Sequence, residues 1–345
     1  MIYLDQPAGV GYSISSSRDP VQSTWEAAKD FYAFAQLFLT RFPEYSQLPF
    51  HIAAESHGGQ YAPNFATYID RLNKVAAPSH LRISLDSIII MNGMMSASIQ
   101  GATSPEYACD GPYAFWENGG VQCSLLRSKV LVLKRVMRQC RDFQTPLTCV
   151  PAGVYALSAF EDRFKELGLN VYDVRKRCSK ELECYDEIAW IQTYLNKTSV
   201  KLALGVPPDH HYSLISWEVN RAFMRAGDVT NDASPMASEL TESGVRILNV
   251  AGDADFVCNF MGSFEWMYQL NSPYKEEFRA LNNTVWRNTN GKAIGEVRAA
   301  GAHKGTASGM LTWLRVYEAG HMVPHDQPET ALEFFKRQDH NFILR

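Results

Sequence analysis

The sequence predicts an α/β fold, a mostly parallel sheet flanked by helices and interrupted by a helical insertion. Three observations predict it. Short apolar runs that read as strands alternate with helix-period segments on both sides of a long central stretch. That stretch, from about Ser96 to Pro235, has a different texture, rich in cysteine, charge and short helical periods and poor in β-branched runs. Finally, the run Ala54-Glu55-Ser56-His57-Gly58-Gly59 sets a serine on a sharp turn between a strand and a helix. The expected organisation is a core over residues 1–95, an insertion or cap over 96–235, and a second part of the core over 236–345.

Met1 to Asp5 reads as a strand that ends in the turn Gln6-Pro7-Ala8-Gly9. A helix is expected from about Thr24 to Phe42, because Phe31, Phe34, Ala35, Phe38 and Phe42 recur at intervals of three and four. Pro43 ends it. Phe50 to Ala54 reads as a buried strand, and Tyr61 to Leu72 as the helix after the serine turn. Ser87 to Met91 reads as another strand, stopped by Asn92-Gly93. Beyond the insertion, strand-like sequence returns at Val245 to Ala251 and at Leu311 to Tyr317. An amphipathic helix from Glu329 to Lys336 closes the chain. There is no internal repeat and no low-complexity linker.

Bulk properties narrow the function. With 345 residues, 46% hydrophobic and 20% charged, the chain suits a soluble globular protein with a large core. A net charge of −4 gives no sign of a nucleic-acid partner. No window holds the roughly 20 consecutive apolar residues needed to span a bilayer, and no signal peptide is visible. Six of the seven cysteines lie between Cys109 and Cys184. None has zinc-finger spacing, so no metal is expected. Local disulfides in an oxidising compartment are the better reading, with Cys258 left as a free thiol. Two sequons, at Asn196 and Asn282, are candidate glycosylation sites.

The chemistry begins at Ser56. Small residues two before and two after it, here Ala54 and Gly58, let strand and helix pass closely, as in a nucleophile elbow. Gly is usual at the first, so this elbow carries an extra methyl. An elbow serine needs a base to take its proton and an acid to orient that base. In α/β-hydrolases they follow in the order Ser, Asp, His, each past a strand end. The strand 245–251 runs into Gly252-Asp253-Ala254-Asp255-Phe256, and the strand 311–317 into Glu318-Ala319-Gly320-His321-Met322. Order and placement are met. Residue physics leaves Asp253 and Asp255 as equal candidates, since either could be a turn former.

Four ordered segments then carry a specific resemblance. Leu4-Asp5-Gln6-Pro7-Ala8-Gly9-Val10-Gly11-Tyr12-Ser13 resembles the LDQP segment of serine carboxypeptidases, and Glu55-Ser56-His57-Gly58-Gly59 their GESY elbow. Gly252 to Asn259 resembles their GDxDFICN segment, and Gly320-His321-Met322-Val323-Pro324 their GHMVP segment, continued by Asp326, Pro328 and Glu329. Asn170 to Lys176, within the insertion, is similar as well. The resemblance spans essentially the whole chain and is greatest to the vacuolar carboxypeptidase Y group.

It implies an α/β-hydrolase fold and hydrolysis of C-terminal residues from peptides at acid pH, without a cofactor. It implies Ser56 as nucleophile, His321 as base and Asp255, the second aspartate, as triad acid. The backbone N–H of His57 becomes an oxyanion donor; the family usually has tyrosine there, so specificity is expected to differ. Glu55 becomes a protonated sensor of the substrate carboxylate, where the residues alone favour a helix-end charge. Cys258 and Met322 become pocket-lining residues rather than core filler. The implied bridges are Cys109–Cys123, Cys140–Cys149 and Cys178–Cys184, with a further family bridge lost near Leu133 and Ala156. The implied location is vacuolar, lysosomal or secreted.

One family segment, WLNGGPG, is absent. It lies upstream of LDQP and supplies an oxyanion N–H and part of the carboxylate grip. The expectation is therefore a chain lacking the first strands of the sheet, with little or no activity as written. Two other functions remain open at this stage: a carboxypeptidase-like acyltransferase using the same triad, and a non-catalytic homologue that keeps the fold.

Overall fold

The computed structural model describes residues 1–14, 20–75, 80–178, 184–301 and 309–340. Its centre is a six-stranded sheet in the order β1-β2-β5-β8-β7-β6. Four neighbouring strands are parallel: β1 (Phe50–Glu55), β2 (Leu85–Met91), β5 (Arg246–Gly252) and β8 (Leu311–Val316). The antiparallel pair β6 (Thr284–Arg287) and β7 (Ala293–Ala300) extends the sheet beyond β8. A separate small hairpin, β3 (Leu169–Asn170) and β4 (Asp173–Arg177), lies in the long segment between β2 and β5. This is an α/β-hydrolase fold.

The central strands are apolar without alternation because both faces of the sheet are covered. Successive residues point to opposite faces. Ile88 and Ile90 of β2 join one core cluster, with Ile247 of β5 and Trp313 of β8. Ile89 and Met91 join another, with Leu248, Val250 and Leu314. Helices α1 (Thr24–Arg41) and α2 (Gly58–Val75) cover the first face. The C-terminal helix Pro328–His340 covers the second with Ala331 and Phe334.

Two points of the sequence reading need correction. Met1 to Asp5 is not a strand. Met1 and Tyr3 are each 89% exposed, and the segment ends in a local turn where Tyr12 N–H donates to Asp5 Oδ2 at 2.9 Å and Gly9 N–H to Ser13 O at 2.9 Å. Four apolar residues without a sheet neighbour do not make a strand. The first helix is where the periodicity put it; its buried residues include Ala27, Ala28, Tyr32, Ala35 and Leu39, and Phe31 and Phe38 pack partly buried against the same core. The alanines share one core cluster with Ala62 and Ala66 of α2, and rings join the two helices, Phe31 stacking on Phe65 at 4.5 Å and Tyr32 meeting Tyr68 at 5.7 Å. Finally, β6 and β7 escaped the sequence reading, because Ala293-Ile-Gly-Glu-Val-Arg-Ala-Ala300 lacks the β-branched density of the central strands.

Disulfides stitch the segment between β2 and β5. Cys109–Cys123 ties helix Ser104–Asp110 to helix Val121–Phe143. Cys140–Cys149 ties that long helix to helix Pro146–Ser158. Cys178–Cys184 closes the loop after β4. Cys258 is free and buried.

Ile90 is fully buried and Leu37 is 72% exposed. Ile90→Ala should lower the unfolding free energy by about 2–5 kcal/mol, whereas Leu37→Ala should change it by less than about 0.5 kcal/mol. Urea unfolding followed by tryptophan fluorescence measures both.

Candidate active site

Because β1, β2, β5 and β8 are parallel neighbours, their C-terminal ends share one edge of the sheet. The candidate residues follow those ends. Ser56 comes directly after β1, Asn92 directly after β2, Asp255 shortly after β5 and His321 shortly after β8.

Ser56 has φ 62°, in the left-handed region that side chains rarely occupy. Backbone bonds hold it there: Ser56 N–H donates to Met91 O at 3.1 Å, and Ser56 O accepts from Met94 N–H at 2.9 Å and Gly59 N–H at 3.0 Å. The small neighbours are required. A Cβ on Gly58 would stand 2.6 Å from Ala54 Cβ, and one on Gly59 2.6 Å from Met94 N. The extra methyl of Ala54 therefore occupies the space that Gly58 leaves open.

The structure separates the two aspartates. Asp255 is fully buried, and its Oδ2 lies 2.7 Å from His321 Nδ1. The same oxygen accepts from Asn92 Nδ2 at 2.8 Å and Cys258 N–H at 3.3 Å, while Oδ1 accepts from Val257 N–H at 3.0 Å. Asp253 faces elsewhere, accepting from Glu318 N–H at 2.9 Å, Tyr113 OH at 3.3 Å and Arg315 at 3.3 Å. Burial raises its carboxyl, with Arg315 opposing.

His321 is 5% exposed. Burial alone would favour its neutral form, but the charge and hydrogen bond of Asp255 outweigh that and raise it above the ordinary histidine value. Its Nε2 is buried and has no hydrogen-bond partner among the described residues. Among the described residues, no hydrogen bond joins that nitrogen to the Ser56 hydroxyl. Such contacts are often long before substrate binds.

Glu55 ends β1 next to Ser56 and is half-buried. Burial raises its carboxyl above the ordinary value, and Asp255 and Asp326 add to this against the opposing effect of His321. Cys258 is fully buried, so its thiol is held well above the usual range and stays neutral. Ligand-type atoms of Asp255, Cys258 and His321 lie within 4.8 Å of one another. Asp255 and His321 are already committed to each other, and a neutral thiol is a poor metal ligand. Met322 is half-buried and caps the short helix Val323–Asp326.

His57 keeps a third of its side chain exposed. Its ring lies between Tyr61 and Phe223, and its Nε2 is 3.6 Å from Oδ2 of the buried Asp228. The other oxygen of Asp228 accepts from Thr24 N–H at 2.9 Å and Thr24 Oγ1 at 3.1 Å. Of the two sequon asparagines, Asn282 is exposed. Asn196 is half-buried and uses its side chain in the fold, donating to Gln192 O and Tyr212 O at 2.9 Å each and accepting from Tyr212 N–H at 3.0 Å.

Sequence reasoning missed Asn92. It read only as a strand stop, yet its side chain bridges the sheet to the acid, donating to Asp255 and accepting from Gly252 N–H at 3.0 Å. Its φ of 40° is one that asparagine tolerates better than most residues. The signal was available as Asn-Gly at the end of a buried strand.

Comparison with known proteins places the chain in a family. Residues 1–341 match the family model described as serine carboxypeptidase. Carboxypeptidase Y homolog A of Talaromyces stipitatus is 36% identical over 342 residues, covering 98% of this chain and 58% of that protein. Carboxypeptidase Y of Komagataella phaffii is 37% identical over 340 residues, covering 98% and 61% respectively. The chain thus spans about six-tenths of the length of these curated relatives. A crystal structure of Kex1Δp, a prohormone-processing carboxypeptidase from Saccharomyces cerevisiae, shares the fold with a TM-score of 0.78 at 19% identity, covering 98% of this chain and 73% of that one.

The raised carboxyl of Glu55 has a signed consequence for stability. A group raised in the folded state contributes stability below its unfolded value, here about 4.5, and that contribution is lost as pH rises through the folded value. Glu55→Gln does not titrate. The melting temperature of the variant relative to wild type should therefore increase as pH rises from about 4 towards 7. A difference that stays flat, or reverses, would contradict the raised carboxyl.

Proposed function

From the premise that this chain belongs to the serine carboxypeptidase family, we propose that it carries the catalytic residues of a serine-type carboxypeptidase, an enzyme that removes C-terminal residues from peptides once a WLNGGPG segment is also supplied. The observation that carries this reading is the buried Asp255–His321 hydrogen bond at 2.7 Å, set on the same sheet edge as a serine in a left-handed turn. An oriented base and a lifted hydroxyl on one sheet edge are what attack by the serine requires.

In this reading His321 Nε2 takes the proton of Ser56 Oγ as that oxygen attacks the scissile carbonyl. Asp255 fixes the imidazole tautomer and stabilises the imidazolium. The His57 N–H donates to the oxyanion. The imidazolium then protonates the leaving amine, and water hydrolyses the acyl-enzyme by the reverse proton path. Glu55, held neutral in the acid range by burial, offers an O–H to the free carboxylate of the substrate, which two like charges would forbid. Cys258 and Met322 line the pocket beside the leaving residue. Residues 96–235 act as an insertion over the core. The disulfide-bonded insertion fits an oxidising vacuolar, lysosomal or secreted setting, and Asn282 is the better placed of the two glycosylation candidates.

Three experiments test this. A fluorophosphonate should label Ser56 covalently, and in a protein that joins these residues to a WLNGGPG segment Ser56→Ala should lower kcat/KM by roughly 10⁴–10⁶-fold. Peptides with a free C-terminus should be cleaved in preference to C-terminally amidated ones. In Glu55→Gln the KM for free-acid peptides should lose its rise with pH, because the amide keeps a donor at every pH. No labelling of Ser56 would sink the catalytic reading, and acyl transfer to an alcohol in place of hydrolysis would make the protein an acyltransferase.

A further inference from the structure

The β3–β4 hairpin belongs to the segment between β2 and β5, far in sequence from the loops that carry Asp255 and His321. It nevertheless bonds to both. On the acid side, Phe256 N–H donates to Val171 O at 3.0 Å, and Val174 N–H to Ala254 O at 3.0 Å. On the base side, His321 N–H donates to Tyr172 O at 2.7 Å, and the Tyr172 ring lies 5.1 Å from the imidazole.

A second hold on the histidine loop comes from Asp326. Its Oδ2 accepts from Gly320 N–H at 2.7 Å, one residue before His321. The Asp326 side chain is 5% exposed and is held from the hairpin by Lys176 Nζ at 3.1 Å and Arg175 at 3.7 Å. Its other contact is His325 Nδ1 at 3.0 Å. Arg175 and Lys176 are themselves fixed by the fully buried Asp173, at 2.7 and 3.0 Å. The packing at Gly320 leaves no slack. A Cβ there would stand 2.6 Å from Tyr172 O, 2.8 Å from Asp173 Cβ and 3.0 Å from Asp326 Oδ2.

We propose that Asp326 is a positioning residue for His321, and that the Asp173–Arg175–Lys176 cluster on the hairpin holds it in place. Earlier in the loop Glu318 N–H is tied to Asp253 at 2.9 Å and Ala319 O to Ala254 N–H at 2.8 Å, but next to the imidazole the remaining holds are the Asp255 hydrogen bond and the Tyr172 carbonyl. Two consecutive backbone N–H groups, of Gly320 and His321, are tied instead to acceptors on either side. With both tied, the ring is aimed by its backbone as well as by its acid. The hairpin then sets the spacing between acid and base, and the insertion becomes part of the catalytic geometry. The inference rests on the proposed role of His321 but not on the identity of the substrate.

The test uses two readouts that need no peptide. In Asp326→Ala the rate of fluorophosphonate labelling of Ser56 should fall about 10–100-fold, the range seen when supporting contacts of a site are removed. Asp326→Asn keeps an oxygen for Gly320 N–H and should recover to within about threefold of wild type. Lys176→Gln, which weakens the hold on Asp326 without touching the loop, should fall between the two. By proton NMR, the far-downfield resonance of the His321–Asp255 hydrogen bond should shift or broaden in Asp326→Ala and return in Asp326→Asn. A folded Asp326→Ala protein that labels at the wild-type rate, or one whose downfield resonance is unchanged, would overturn the proposal. So would an Asn variant as slow as the Ala variant. If labelling and resonance respond as expected but no C-terminal residue is released from any peptide, the carboxypeptidase reading fails and the positioning role stands.

Discussion

The burial of one carboxylate governs the site. Asp255 has no solvent, and an ionised carboxylate in such a place is tolerated only when its oxygens are met by donors. Here the side chain of Asn92, the backbone N–H groups of Val257 and Cys258, and the imidazole of His321 meet them. Each donor comes from a different requirement of the fold. Asn92 must end β2 in a left-handed turn. The two amides must be free at a loop before helix Phe260–Gln269. The imidazole must arrive from β8. The parallel register of β2, β5 and β8 is what lets all of them converge on one edge.

The elbow obeys a related constraint of space. The left-handed serine is possible only because its backbone bonds reach across to Met91 and Met94, next to β2. Those bonds require the start of α2 to run against the Gly93–Met94 backbone, which only glycine at position 59 permits. The proposed nucleophile and the acid therefore share a support. The short Asn92–Met94 stretch touches the serine turn on one side and Asp255 on the other.

Much of this was legible in the sequence, for physical reasons. The four parallel strands stood out because burial on both faces leaves continuous apolar runs such as Ser87 to Met91. The turn at Ser56 was marked by its small neighbours. Other features depended on tertiary context. Met1 to Leu4 has strand-like residues but no partner. The helical spacing of the α1 phenylalanines placed the helix, yet which residues are buried, Ala27, Ala28, Tyr32, Ala35 and Leu39 among them, follows from the neighbouring elements. Asp253 and Asp255 sit in one short run and differ only in which way the loop turns after β5. Asn92 and the hairpin contacts of Asp326 join residues remote in sequence, and no local pattern announces them.

The pairing of β2 with β5 sets Ser87 opposite Arg246, so the middle of the sheet closes across the whole segment between these strands. Contacts of such sequence separation slow folding, since loop-closure entropy must be overcome before they form. The three disulfides span only 14, 9 and 6 residues, and none reaches the sheet. They compact the intervening chain without joining the strands on either side of it. The covalent order of the molecule is thus local while its sheet order is long-range. Oxidation early in folding shortens the loop that β2 and β5 must close by no more than about 29 residues, a change in closure cost of only about 0.2 kcal/mol, so the bridges set order within the segment and leave the closing of the sheet to the strands themselves.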